Sequence, residues 1–250
     1  MQLPTEITKA KSQNPRKLFI YSHVKRGKTT AISKLENCLL IDLQSGASYV
    51  DGMIVDVVKE SVEYKKHPLD ILFRLEKLLS ESTRKYDYIA MDPATDLEAI
   101  AIELGTRNYK NSVLGKNNQT ITNVVKELPN GGGYIHFRSA FEDLINMFAK
   151  HAQVCFILTG HSKLIASGKK DDTLDVQDVD LSGKIKLYVA QTFDTNAVAT
   201  REGNKLYLNF VTKEDDITTG SRSPHLRGNK ILLSEMVGEE IVTHWDKIFI

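Results

Sequence analysis

The sequence has little cysteine, no marked excess of either charge and no long hydrophobic run. Its two cysteines, Cys38 and Cys155, each sit beside an apolar stretch. They predict two reduced, buried, unpaired thiols rather than a disulfide framework or a metal site. No apolar run approaches the roughly 18 residues of a membrane span, so no membrane partner is expected. Residues 1–17 are polar, with Lys9, Lys11, Arg16 and Lys17, and lack an apolar signal core. That predicts a cytoplasmic protein. A formal net charge of +1 neither supports nor excludes nucleic-acid binding, because local clustering decides. Basic clusters occur at 9–17, at 163–170, and at Lys184 with Lys186. Each alone is equally well read as solvated surface.

What is present is a chain of 250 residues, long enough for one large α/β domain with a substantial core. Short apolar runs at Lys17–Ser22, Leu39–Leu43, Tyr88–Met91 and Val154–Thr159 read as buried strands. A helix is predicted to open at Lys28, and another after Pro68, with Leu72, Leu75, Leu78 and Leu79 at helical spacing. Phe137, Ala140, Phe141, Leu144, Ile145 and Phe148 form the clearest amphipathic stripe. Residues 105–133 read as a long excursion from the core, and 167–182, charged and poor in aromatics, as a mobile loop. Phe193–Thr200 and Lys205–Thr212 read as two strands around a Glu202-Gly203-Asn204 turn. Strands that are apolar throughout and alternate with helices predict a mostly parallel sheet covered on both faces, with a C-terminal antiparallel hairpin. The expected organisation is a basic arm (1–16), an α/β core (17–222) and a C-terminal extension (223–250).

In such folds ligands bind beyond the carboxyl ends of the strands. Ser22-His23-Val24-Lys25-Arg26-Gly27-Lys28-Thr29 matches G-x-x-x-x-G-K-[ST] except at its first position. Such a loop turns backbone N–H groups of Lys25, Arg26, Gly27, Lys28, Thr29 and Thr30 toward phosphate oxygens. Lys28 would neutralise the β- and γ-phosphates of ATP, and Thr29 would offer a hydroxyl to Mg²⁺. Asp92, closing an apolar strand, is the expected second magnesium group, with Asp87 as competitor. Gln44 stands where a glutamate could act as general base; glutamine orients water but takes no proton. Asp42 is a substitute base. His161, ending the fourth strand, is a candidate γ-phosphate sensor.

The ordered segments SHVKRGKTT, CLLIDLQSG, YDYIAMDPAT, FILTGHSK, FDTNAVATREGNKLYLNF and GSR resemble those of the RecA-like recombinase ATPases. The resemblance is greatest to the small bacteriophage Sak-type single-strand-annealing ATPases, and it runs from about Leu18 to Arg222. It implies a RecA-like P-loop core, ATP and magnesium held between protomers of a ring or filament, and loops that bind single-stranded DNA. The matching loops carry Arg107, Lys110, Lys163, Lys169 and Lys170, with Tyr109 or Tyr134 as stacking platforms. Lys213 and Arg222 are the candidates for reaching a neighbour's nucleotide. Single-strand-binding or other recombination proteins are the implied partners. Two departures, Ser22 for the first loop glycine and Gln44 for the hydrolytic glutamate, separate binding from turnover. They keep open a hydrolysis-deficient, nucleotide-gated assembly protein. A motor or loader acting on a protein, and a small-molecule kinase, are the other rivals, the last disfavoured by a 163–182 loop rich in lysine and aspartate rather than arginine.

Overall fold

Alternation along the first strand explains the layering. In the computed structural model, which describes residues 3, 12–165, 176–212 and 219–250, Phe19 and Tyr21 enter one apolar cluster while Leu18 and Ile20 enter another. Successive side chains of a strand point to opposite faces, so a run buried at every position needs cover on both.

In chain order the elements are β1 (Lys17–Ser22), α1 (Lys28–Ser33), β2 (Cys38–Asp42), β3 (Met53–Asp56), α2 (Val57–Tyr64), α3 (Pro68–Glu81) and β4 (Tyr86–Asp92). Then come α4 (Ala94–Asn111), α5 (Val124–Glu127), α6 (Gly133–Ala149), β5 (Ala152–Ile165), β6 (Val176–Val179) and α7 (Lys184–Thr192). The chain closes with β7 (Thr195–Glu202), β8 (Lys205–Asn209), β9 (Gly220–Ser221), β10 (Lys230–Val237) and β11 (Glu240–Thr243). The sheet runs β11-β10-β8-β7-β1-β5-β4-β2-β3. It is parallel from β7 to β3 and antiparallel from β7 to β11. The α/β class, mostly parallel with an antiparallel C-terminal part, is the one expected.

The two faces are covered unequally. One carries the apolar sides of α3, α4, α6 and α7. Its phenylalanines Phe137, Phe141 and Phe148 are buried, each worth roughly 1.5–3 kcal/mol of transfer free energy. The other face is covered by α1, by Leu226 and by the C-terminal Trp245 and Ile248. Trp245 donates its indole N–H to the carbonyl of Ala31 at 2.9 Å, satisfying a carbonyl near the end of α1. Residues 223–250, expected as an extension, thus continue the sheet as β10 and β11 and pack on the helix after the loop. Most of the 1–16 arm lies outside the described residues; Asn14 exchanges two hydrogen bonds with the backbone of Ile250.

Three local expectations are corrected. Residues 105–111 are the last turns of α4 rather than an excursion. Gly105 permits this, because a Cβ there would stand 3.0 Å from the His136 carbonyl on α6. The fourth strand does not stop at Thr159 but runs to Ile165. Part of the 167–182 stretch is strand β6, antiparallel to the end of β5. Both cysteines are free and buried, and burial pushes the Cys38 thiol up to about 12.

Candidate nucleotide site

The polar strand ends meet in register. Ser22 lies beside His161, and Asp42 beside Asp92. The row lies at the carboxyl ends of the parallel strands, where ligands of such sheets bind.

The loop after β1 requires two left-handed residues, Lys25 (φ 60°) and Gly27 (φ 96°). Glycine supplies the second without steric cost. The first motif position makes no such demand: Ser22 is still in β1 and fully buried. Serine is tolerated there for that reason, and its hydroxyl accepts from Lys28 Nζ at 2.9 Å while donating to the His23 carbonyl at 2.8 Å. Lys28 also reaches the Ser22 and His23 carbonyls, each at 3.4 Å. It is only 7% exposed. Burial pushes its pKa down to about 8, against the pull of the Asp92 charge. Lys25 and Arg26 are exposed, so their contribution to a phosphate would come through backbone N–H groups.

Thr29 donates its hydroxyl to Asp92 Oδ2 at 2.5 Å, joining segments 63 residues apart. Thr159 donates to the other carboxylate oxygen. Asp92 is 4% exposed, so its position is fixed by both hydroxyls. Asp87, the competitor, accepts from Asn37 at the opposite, N-terminal end of β4 at 3.0 Å. Thr29 and Asp92 are hard oxygen donors in one place and fit magnesium, which takes few protein ligands and completes its shell with water and phosphate. Among the described residues no cluster of three His, Cys, Asp or Glu forms a protein-only metal cage.

His161 sits 3.5 Å from the Thr95 hydroxyl through Nδ1. Burial, then the Lys28 charge, lowers its pKa, which keeps the ring neutral at pH 7. A neutral imidazole offers one donor and one acceptor. Asp42 accepts from the backbone N–H groups of Gln44 (3.1 Å) and Ala47 (2.7 Å), which occupies both carboxylate oxygens in shaping the turn. It is a turn cap rather than a free base. Gln44 itself is exposed.

Sequence reasoning missed two polar groups here. Thr159 is two residues before His161, hence on the same face of β5, a signal readable once Asp92 is accepted. Asp96, in the first turn of α4, has its carboxyl pKa raised chiefly by burial, with His161, Asp92 and Asp42 close enough to act on it.

Other predicted residues do not converge. Lys163, on β5 beyond His161, pairs with Asp180 at 3.3 Å. Arg107 is held by Asp70 (2.5 Å) and Glu103 (2.7 Å). Lys110 lies at the far end of α4, about 24 Å along the helix from Ala94 at 1.5 Å per residue. Tyr109 is buried against His136 and offers no stacking face, whereas Tyr134 is half exposed. Arg222 pairs with Asp194 at 3.6 Å and donates to the Gln191 carbonyl. Lys169, Lys170 and Lys213 lie outside the described residues.

The AAA domain family model matches residues 14–223. The chain belongs to that family. The AAA domain match includes the loop, Asp92, His161 and the β7–β8 hairpin. No curated protein matches the chain. Among solved structures, the crystal structure of the RadB recombinase is similar with a TM-score of 0.43 and 9% identity, over 92% of this chain and 91% of that one. A likeness that slight has no bearing on function. No helix among the described residues of this AAA domain protein is long and apolar enough to cross a membrane.

Proposed function

We propose that the chain binds ATP with magnesium at the Gly27-Lys28-Thr29 loop and acts, as an oligomer on single-stranded DNA, in recombination or replication of a phage type. One observation carries the nucleotide half: the loop hydroxyl of Thr29 and the Asp92 carboxylate meet at 2.5 Å beside a buried Lys28. In this reading Lys28 exchanges its Ser22 and His23 oxygens for phosphate oxygens. The loop N–H groups orient the phosphates, and Thr29 with Asp92 holds magnesium, which supplies charge neutralisation when bound. His161 reads the terminal phosphate through a neutral ring nitrogen. The DNA half is supported by the resemblance in motif order and by Lys163 on the β5–β6 arm beyond His161.

A second reading has its own support. Gln44 is exposed and Asp42 is occupied by two backbone N–H groups, so neither supplies a free base. ATP would then serve mainly to gate assembly. The test is sizing of the full chain with and without a non-hydrolysable ATP analogue and single-stranded DNA, beside an ATPase assay. Assembly that needs both ligands supports the DNA-linked reading. Assembly with nucleotide alone and no turnover supports the gate. A monomer under all conditions rejects both.

A further inference from the structure

The β7–β8 hairpin brings Arg201 against the phosphate-binding loop. A Cβ built on Gly27 would stand 3.4 Å from Arg201 Nη1. Sheet order accounts for the approach. β1 lies between β5 and β7; Asp92 and His161 belong to the β5–β4 side, Arg201 to the β7 side. The guanidinium is oriented by its Nε, which donates to the Gly203 carbonyl at 3.2 Å within the hairpin turn. Among the described residues it has no carboxylate at ion-pair distance, unlike Arg107, Arg138 and Arg222. The acid that lines the same cleft, Glu235, is engaged by Lys205 (3.6 Å) and His244 (3.3 Å). Gly27, Thr30, Arg201, Asn204, Glu235 and Met236 line this cleft together.

We infer that Arg201 is a nucleotide-binding residue supplied by the same chain, taking the α-phosphate and nucleoside end of a nucleotide whose terminal phosphates lie at Lys28. The inference rests on the ATP reading above. Its logic is directional. Lys28, Thr29, Asp92 and His161 gather the terminal phosphates on one flank of β1, and Gly27 with Thr30 opens toward the other. A nucleotide laid along the loop must therefore send its α-phosphate and nucleoside past Arg201. A planar guanidinium suits both groups, forking onto phosphate oxygens and stacking on a base. Met236 and Ile241 also line this cleft, which at about 40 Å³ encloses no base, so a nucleoside would lie over it rather than inside it.

The test compares Arg201→Ala, Arg201→Lys and Lys28→Ala by calorimetry with ATP, ADP and inorganic tripolyphosphate. Arg201 is exposed, so its variants keep the fold. Arg201→Ala should weaken ATP and ADP by the same factor, about tenfold or more, and weaken tripolyphosphate by a smaller one, because it keeps an α-phosphate equivalent but has no nucleoside. Arg201→Lys should restore only part, because an ammonium keeps the charge but not the plane. Unchanged ATP affinity in Arg201→Ala, with Lys28→Ala binding none, overturns the inference and leaves the loop reading intact. Equal losses for ATP and tripolyphosphate in Arg201→Ala overturn it too, because they leave the nucleoside no part in the contact. Retained ATP binding in Lys28→Ala removes the loop reading itself.

Discussion

The group that would bind phosphate and the group that would activate water are built differently in this molecule. On the binding side, Thr29 and Thr159 both donate to Asp92 and Lys28 donates to Ser22, and Lys28, Asp92 and Thr159 are buried. On the hydrolytic side, Gln44 is exposed, and the carboxylate beside it, Asp42, is committed to its own turn. Pre-oriented dipoles in a dry site cost no reorganisation when charge arrives, whereas an exposed amide must be ordered first. The contrast teaches that affinity and turnover are separable here.

The largest expected effect breaks the binding side. Removing the buried ammonium in Lys28→Ala should cost about 3–5 kcal/mol, roughly a thousandfold in ATP affinity. Calorimetry reads it directly, and micromolar affinity in the variant would take the site away from this loop.

The next effect sharpens the hydrolytic side. Gln44→Glu adds the missing proton acceptor, and general-base catalysis is worth at least about a hundredfold when geometry is right. Steady-state ATPase rates should rise toward that factor with little change in affinity. An unchanged rate means that the base belongs elsewhere, and Asp96, partly buried near His161 and Asp92, becomes the residue to alter.

A third effect concerns the charged arm rather than the pocket. Replacing Lys163, Lys169 and Lys170 by alanine should weaken single-strand binding. It should also flatten the slope of log affinity against log salt by about 2, at roughly 0.7 per phosphate contact. A slope equal to that of the parent chain would exclude the arm from the DNA surface. Lys163 already spends part of its charge on Asp180 at 3.3 Å, so the loss falls at the lower end.

How much of this was legible in the sequence follows from the range of the interactions. The parallel sheet and α6 were readable because apolar runs and a stripe at spacing three and four are local signals. Lys28, Asp92 and His161 were readable because strand ends in such sheets share one edge. Thr159 and Arg201 were not, since each matters through a partner more than 60 residues away, Asp92 and Gly27. Ser22 was read as a departure that sets binding apart from turnover because the motif places glycine there. The backbone reverses later, at Lys25 and Gly27. Gly105 and Asn111 were read as loop because glycine and asparagine are turn residues. Close packing of α4 on α6 overrides that preference.

The smallest effect tests charge used for the fold rather than for a ligand. Glu76 on α3 accepts from Lys150 Nζ (2.7 Å), Ser80 Oγ (2.8 Å) and His151 Nε2 (3.3 Å), tying α3 to the end of α6. These partners, Lys150 foremost, hold its carboxyl at about 2, below its ordinary 4.5. A carboxylate whose pKa falls on folding contributes stability that is complete above the unfolded value and is lost as pH drops through the folded one. Glu76→Gln should therefore lower Tm modestly at pH 7, by a few degrees at most for a half-solvated cluster. The gap should close as pH falls from about 4.5 toward 2, where the parent carboxylate is itself protonated. A Tm difference that stays constant down to pH 3 would mean that the cluster acts through packing of the Glu76 side chain and not through its charge.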